Sequence, residues 1–121
     1  MTLSSQVADF FAILGDRTRI RILGLVYEMP LTVNEIREKL GDISTLSYQA
    51  LSYQLKKLED HHLIKFEDNP NDGRSKYVHL MDAHISHILN DAIVHIKGGE
   101  ECEGTLDCED NENLKLLMVT P

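Results

Sequence analysis

The chain has 121 residues, of which 42% are apolar, and it carries a formal net charge of −8. This length suits one domain, and so small a domain gains from burying further surface against a partner. Because no run of about 18 apolar residues occurs and the start lacks a basic segment, we expect neither a membrane-spanning helix nor a signal peptide. The two cysteines, Cys102 and Cys108, do not make a disulfide framework, which favours a cytoplasmic protein.

The negative charge is concentrated near the end of the chain. Residues 99–121 contain seven acidic residues and one lysine, which leaves a net charge of −2 for residues 1–98. A nearly neutral body can present a local basic face, and contact with phosphate depends on local Lys and Arg. We therefore predict a folded domain over residues 1–98 and a flexible acidic tail over residues 99–121.

Two helices are predicted first. Apolar residues at helical spacing indicate a helix that begins with Ser4 or Ser5 as its N-cap and ends at Leu14. Asp16 is expected to cap a second helix, which Met29-Pro30 ends. The second helix carries three arginines, of which at least one should support the fold or contact phosphate: Arg17, Arg19 and Arg21.

A helix-turn-helix motif is predicted next. A capping-box pattern from Thr32 to Glu35 begins a short helix, which Gly41 ends. After a turn, a second helix is predicted from Ser47 to about His61. One face of this helix carries regularly spaced leucines that should be buried, namely Leu51, Leu55 and Leu58. Two helices joined by a short turn containing glycine are typical of a helix-turn-helix.

Alternating segments after this motif indicate a β-hairpin. Residues 63–67 and 76–80 alternate in the manner of strands, and the segment 69–74 between them is rich in turn-forming residues. A helix-turn-helix followed at once by a hairpin is a winged helix. The predicted fold is therefore mostly α with a two-stranded β-hairpin wing.

A final helix offers a surface for dimerisation. It is predicted over residues 82–97, with an apolar stripe that includes Ile88 and Ile93. We expect this stripe and the first helix, with Phe10 and Phe11, to form most of the interface of a homodimer. A charge introduced into the stripe should then yield monomers.

Three segments together resemble, in order and spacing, the ArsR/SmtB family of metal-sensing transcriptional repressors. They are LGDRTRIRIL (residues 14–23), ALSYQLKKL (residues 50–58) and DGRSKY (residues 72–77). The resemblance covers roughly residues 5–97. It implies a dimeric winged helix-turn-helix repressor that binds double-stranded operator DNA and leaves it in response to a transition metal ion.

The second helix of the motif is expected to enter the major groove. Gln49 suits a paired contact to adenine, and Ser52 can contact several bases. Lys56 suits a phosphate, and Arg74 at the wing tip suits a phosphate or a narrow minor groove. The alternative is that these are solvated residues on a helix face and a turn. The predicted DNA-contacting residues are Ser47, Tyr48, Gln49, Ser52, Tyr53, Lys56 and Arg74.

The resemblance also implies a metal site in the last helix. The family pattern has Asp-x-His near the start of this helix and a second His eleven residues further, which Asp82, His84 and His95 match. Eleven residues make almost three turns, so both histidines lie on one edge of the helix. In an antiparallel pair of such helices, Asp82 and His84 of one chain meet His95 of the other, a set suited to Zn²⁺, Co²⁺ or Ni²⁺.

Two features depart from the family's metal sites. The pattern places a fourth ligand three residues after the last His, where this chain has Gly98. The alternatives for that ligand are water, Glu100, Glu101 and Cys102, of which Glu101 is our candidate. A cysteine site found in other members is missing, because residues 31–36 contain no cysteine. Asp82 is in addition a natural N-cap, and the histidines equally fit a plain surface.

Other functions remain open alongside the metal-responsive repressor. Cys102 and Cys108 suit a reversible disulfide or a soft metal, so a regulator of the same fold that senses redox state, or no small molecule, is the alternative. A winged helix that mediates only protein contact is a third. We do not expect an enzyme, because the sequence has no Gly-rich phosphate loop and no nucleophile elbow.

Overall fold

A computed structural model describes residues 2–41, 46–98 and Leu117 of the chain. It consists of helices with a small antiparallel sheet. In chain order the elements are α1 (Leu3–Leu14), α2 (Arg17–Glu28), β1 (Leu31–Thr32), α3 (Val33–Gly41), α4 (Tyr48–Asp60), β2 (Ile64–Asn69), β3 (Asp72–Leu80) and α5 (Ala83–Ile96). This order is that of the predicted winged helix, with one additional strand.

Side-chain caps begin the helices. The Asp16 carboxylate accepts a hydrogen bond from the backbone N–H of Arg19 at 3.1 Å, which confirms the predicted cap of α2. The predicted cap of α1 is wrong. The hydroxyl of Thr2, rather than that of Ser4 or Ser5, accepts the Ser5 N–H at 3.2 Å, so the helix begins a turn earlier than its apolar pattern.

The capping box before α3 forms as predicted. The Thr32 hydroxyl accepts the Glu35 N–H at 3.2 Å, and the Glu35 carboxylate accepts the Thr32 N–H at 2.8 Å. This box fixes the point at which the chain changes from strand to helix. It therefore holds the start of the helix-turn-helix next to the sheet.

Within the described ranges the sheet has three strands in the order β1-β3-β2, so the predicted two-stranded wing is incomplete. The additional strand, β1, pairs Leu31 with Val78 and Thr32 with Tyr77. Two residues are too few to show the alternation by which a strand is predicted. The hairpin strands also extend further into the turn than predicted, since backbone pairing continues to Asn69 and Asp72.

The predicted leucines of α4 lie at the centre of the core. Leu51, Leu55 and Leu58 are buried, together with side chains from α2, α3 and β3 that include Ile22, Ile36 and Val78. This packing fixes which face of α4 points outward. The leucine spacing therefore determines the exposed face of the helix as well as its buried one.

The outer helices bury only part of their apolar residues in this chain. On α5, Ile85 and Leu89 are buried, whereas Ile96 is 80% exposed. On α1, Val7 is 45% exposed and Phe11 57%. An apolar surface on α1 and at the end of α5 thus remains open to solvent in the single chain.

The predicted acidic tail begins where the continuous description stops. Within residues 99–121 the structure describes Leu117, which is half-buried and packs against the core. The predicted flexibility of the tail concerns residues outside the described ranges. None of the helices described here combines the length and the apolar character needed to cross a membrane.

Candidate nucleic-acid interface

Helix α4 exposes the polar side chains that were predicted to contact DNA. Ser47 is its N-cap, and the Ser47 hydroxyl accepts the backbone N–H of Ala50 at 3.0 Å. Gln49, Ser52 and Tyr53 follow on exposed positions of the first two turns. Ser47 therefore stabilises the start of α4 as its N-cap. Gln49, Ser52 and Tyr53 present side chains that can reach base edges.

Two tyrosines add aromatic surface to this face. The exposed fraction is 50% for Tyr48 and 58% for Tyr53. The ammonium group of Lys57 lies 5.4 Å from the centre of the Tyr53 ring, within the range of a cation–π contact. Positive charge thus lies beside an aromatic ring on the outer side of α4.

Lys56 lies on the same helix but is paired with carboxylates. Its Nζ is 3.3 Å from Oδ1 of Asp60 and 3.6 Å from Oε1 of Glu59. The hydrogen bond and the charge of Asp60, followed by the charge of Glu59, raise the pKa of Lys56 above its ordinary value of 10.5. The ammonium group is therefore fully charged at neutral pH, and two acidic side chains hold it.

The wing brings further positive charge towards α4. Arg74 and Lys76 occupy alternate positions of β3 and so lie on one side of the strand. Lys76 Nζ is 3.7 Å from Oδ1 of Asp68 on the neighbouring strand. The Arg74 guanidinium makes no ion pair with the described residues, although the Arg74 backbone N–H donates to Asp72 at 2.9 Å.

A cleft of about 370 Å³ separates α4 from the wing. Its apolar floor includes Leu55 and Phe66, and its rim is polar. The rim carries cations from both walls and hydroxyl or amide groups between them, namely Lys56, Arg74, Lys76, Thr32, Asn34, Tyr48, Ser52 and Ser75. Cations and hydroxyl groups are the side chains that contact phosphate and sugar in nucleic acids.

Arg19 fixes α4 relative to the first two helices. Its Nε donates to Oε1 of Gln54 at 2.7 Å, and its Nη1 donates to the carbonyl oxygen of Ile13 at 3.2 Å. Arg17 is exposed and Arg21 is 6% exposed. The expectation that at least one arginine of α2 supports the fold is confirmed by Arg19.

The predicted metal ligands lie on α5, where Asp82 is the N-cap. Oδ1 of Asp82 accepts the His84 N–H at 2.9 Å and lies 3.6 Å from Nδ1 of the same histidine. Two ligands at about 2.0 Å from a tetrahedral ion lie roughly 3.3 Å apart. The Asp82 carboxylate and the His84 ring are therefore close enough that they could hold one ion, although Oδ1 of Asp82 already caps α5; the His84 side chain is 90% exposed.

One described chain supplies only part of such a site. His95 is exposed, but eleven residues of α-helix separate it from His84 by about 16 Å. Among the described residues, no three His, Cys, Asp or Glu side chains come together as a metal site. Gly98 ends the helix with a φ of 102°, and the alternative ligands Glu100, Glu101 and Cys102, as well as Cys108, lie outside the described residues.

Comparison with known proteins identifies the family. HTH-type transcriptional regulator NmtR of Mycobacterium tuberculosis is 30% identical over 92 residues, which cover 76% of this chain and 71% of that protein. Transcriptional repressor SmtB homolog of Synechocystis sp. is 27% identical over 94 residues, covering 78% and 66% respectively. A family model described as MarR family matches residues 16–75. The chain belongs to the winged helix-turn-helix transcriptional regulators.

Solved structures agree with the fold of this winged helix-turn-helix regulator. Lactococcus lactis ZitR, a C30AH42A mutant in apo form, is 29% identical with a TM-score of 0.56, over 80% of this chain and 74% of that one. Reduced HlyU from Vibrio cholerae has a TM-score of 0.62 over 78% of this chain and 92% of that one, and at 18% identity it supports the fold alone.

These relatives also bear on the predicted function. Since they are transcriptional regulators, the expectation that this winged helix-turn-helix regulator is not an enzyme is confirmed.

The sequence reasoning missed Lys76 as a member of the positive rim. Its signal was the alternation of β3, which places Lys76 on the same side as Arg74.

Proposed function

We propose that the chain is a repressor that inserts α4 into the major groove of operator DNA. The observation that carries this proposal is the exposed polar face of α4, bordered by a cleft whose rim is cationic on both walls. Gln49 and Ser52 read base edges, while Lys56 and Arg74 contact the backbone. Repression itself is proposed from the name of the Synechocystis relative and from the resemblance to ArsR/SmtB repressors. The proposed location is the cytoplasm, where operator DNA is found.

The repressor acts as a homodimer. Leu3, Val7 and Phe11 are exposed on α1, and Ile96 is exposed at the end of α5. A second copy of the chain is the partner that buries these apolar side chains on both sides of a two-fold axis. Such a dimer places two α4 helices on half-sites about one helical turn apart in a roughly palindromic operator.

A transition metal ion is the proposed effector. Asp82 and His84 of one subunit, with His95 of the partner subunit, would hold Zn²⁺, Co²⁺ or Ni²⁺ between the two α5 helices. The spacing of Asp82 and His84 supports this assignment, as does the resemblance to the ArsR/SmtB repressors. The ion would supply a bridge that favours one dimer geometry, and DNA favours another.

The DNA part of this proposal is tested with the double variant Gln49→Ala/Ser52→Ala. It should lose specific affinity for the DNA upstream of its own gene, by roughly 1–3 kcal/mol for each lost base contact, while binding to a random duplex changes little. Titrations of both DNAs at several salt concentrations separate the two effects. An equal loss for both duplexes would show that α4 does not read bases.

A further inference from the structure

The lysines that border the DNA-facing cleft are already engaged by acidic side chains. Lys56 lies within 3.3 Å of Asp60 and 3.6 Å of Glu59, and Lys76 lies 3.7 Å from Asp68. The two lysines nevertheless remain on the rim of the cleft and are more than half exposed. The positive charge that would attract phosphate is thus partly cancelled within this chain.

The acids on α4 are badly placed for helix stability. Glu59 and Asp60 are its last two residues, where the negative end of the helix dipole disfavours carboxylates. The order is also the weaker one for an ion pair within a helix, because Lys56 precedes its acidic partners. Both features reduce what the two adjacent carboxylates contribute to the stability of α4.

We infer that Asp60 and Glu59 set the affinity of the protein for DNA by holding Lys56, an inference that rests on the proposed function. A phosphate that binds the Lys56 ammonium competes with both carboxylates for its three N–H donors, and the two carboxylates add negative charge close to that phosphate. Lys56 exchanges one set of negative partners for another, so its net gain on binding is small. The two acids lower DNA affinity without touching DNA.

The inference is tested in the full-length chain with Asp60→Asn and Glu59→Gln. Each variant should bind DNA roughly two- to fivefold more tightly, the range expected for release of an exposed ion pair. The gain should be similar for the DNA upstream of the gene and for a random duplex, because a phosphate contact carries no sequence information. It should shrink as salt is raised, since exposed charges are screened.

Two further variants separate the action through Lys56 from a general effect of charge. Asp9→Asn removes the same charge from α1, outside the helix-turn-helix, and should leave DNA affinity unchanged. In a Lys56→Ala background, Asp60→Asn should no longer improve binding. Circular dichroism and thermal unfolding verify that each variant is folded, which we expect because Asp9, Lys56 and Asp60 are exposed and Glu59 is only half-buried.

The outcomes are distinct. Unchanged affinity in Asp60→Asn and Glu59→Gln, with DNA binding by the parent protein intact, would overturn the inference and leave the proposed function standing. A gain that persists without Lys56, or that Asp9→Asn reproduces, would overturn it as well, because charge alone would then explain the effect. Failure of the parent protein to bind either duplex would overturn the proposed function and the inference with it.

Discussion

Arg19 joins three helices through its guanidinium group, and this is the clearest single-residue contribution to the position of α4. It donates to Gln54 at 2.7 Å and to the carbonyl oxygen of Ile13 at 3.2 Å. Arg19→Ala should therefore lower the free energy of unfolding by about 2 kcal/mol, because it leaves these acceptors partly buried without a donor. Urea unfolding measures the change.

Arg17 provides the matched control for this prediction. Its side chain is exposed on the same helix, so Arg17→Ala should change the free energy of unfolding by less than about 0.5 kcal/mol. Equal unfolding midpoints for the two variants would contradict the structural role of Arg19. The sequence alone could not show which arginine supports the fold, because the two partners of Arg19 lie 6 and 35 residues away from it.

At the scale of elements, the cap of α4 has to be separated from its DNA contact. The Ser47 hydroxyl accepts the Ala50 N–H at 3.0 Å, so Ser47→Ala should destabilise the protein by about 1 kcal/mol. Ser47→Asp keeps a capping oxygen and should recover that stability, but it adds a negative charge at the DNA-facing end of α4. Thermal unfolding and DNA titration of both variants measure the two effects.

The Ser47 variants have three possible outcomes that bear on these two roles. Stability unchanged in Ser47→Ala would contradict the cap. Full DNA affinity in Ser47→Asp, together with normal stability, would show that DNA does not approach this end of α4. The predicted outcome, normal stability with weakened DNA binding in Ser47→Asp, supports both the cap and the docking direction.

Most elements with local signals were predictable from the sequence, the cap of α1 excepted, whereas those set by distant pairing were not. The Thr32–Glu35 capping box and the Asp16 cap follow from residues three apart, and both form. Strand β1 depends on pairing with Val78, 47 positions further along the chain, and its two residues carry no period of their own. The exposed face of α4 was predictable because its buried face is marked by leucines.

At the scale of the whole molecule, the candidate metal site could be predicted only in part. The eleven-residue spacing of His84 and His95 is visible in the sequence, and the structure places Asp82 beside His84. The distance along α5 then prevents a single chain from closing the site. What the sequence does not contain is the relative position of two chains, which packing between their surfaces determines.

Phe11 tests the proposed dimer more cleanly than the isoleucines of α5. Ile88 and Ile93 are half-buried against the core of their own chain, so a charge there disturbs the fold as well as any interface. Phe11 is 57% exposed, and Phe11→Glu should yield folded monomers, because it would bury a charge between two chains. Sedimentation measures the assembly.

Ser5→Glu is the control for Phe11→Glu. It introduces the same charge in the first turn of α1, on a different side of the helix, where a carboxylate also suits the helix dipole. This variant should sediment like the parent protein. A dimer that survives Phe11→Glu would place the interface elsewhere. Loss of the dimer in both variants would show that a negative charge on either side of α1 disrupts the dimer.

Metal binding should release the protein from DNA. Metal lowers DNA affinity only by the difference between its affinities for the free and the DNA-bound dimer, and DNA lowers metal affinity by the same factor. We expect a coupling of about 1–3 kcal/mol, or roughly 5- to 150-fold in DNA affinity. Because imidazole must be unprotonated to bind metal, the effect should weaken at acidic pH.

His84→Ala and His95→Ala should each keep DNA affinity and lose the response to Zn²⁺, Co²⁺ and Ni²⁺, because each removes a ligand from both halves of a symmetric dimer. Cys102→Ser and Cys108→Ser should respond like the parent protein. Fluorescence anisotropy with labelled DNA measures the response, and Co²⁺ absorption reports whether a thiolate binds the metal. If the histidine variants respond normally and the cysteine variants do not, the sensor belongs to the cysteines, and the regulator senses redox state or a soft metal instead.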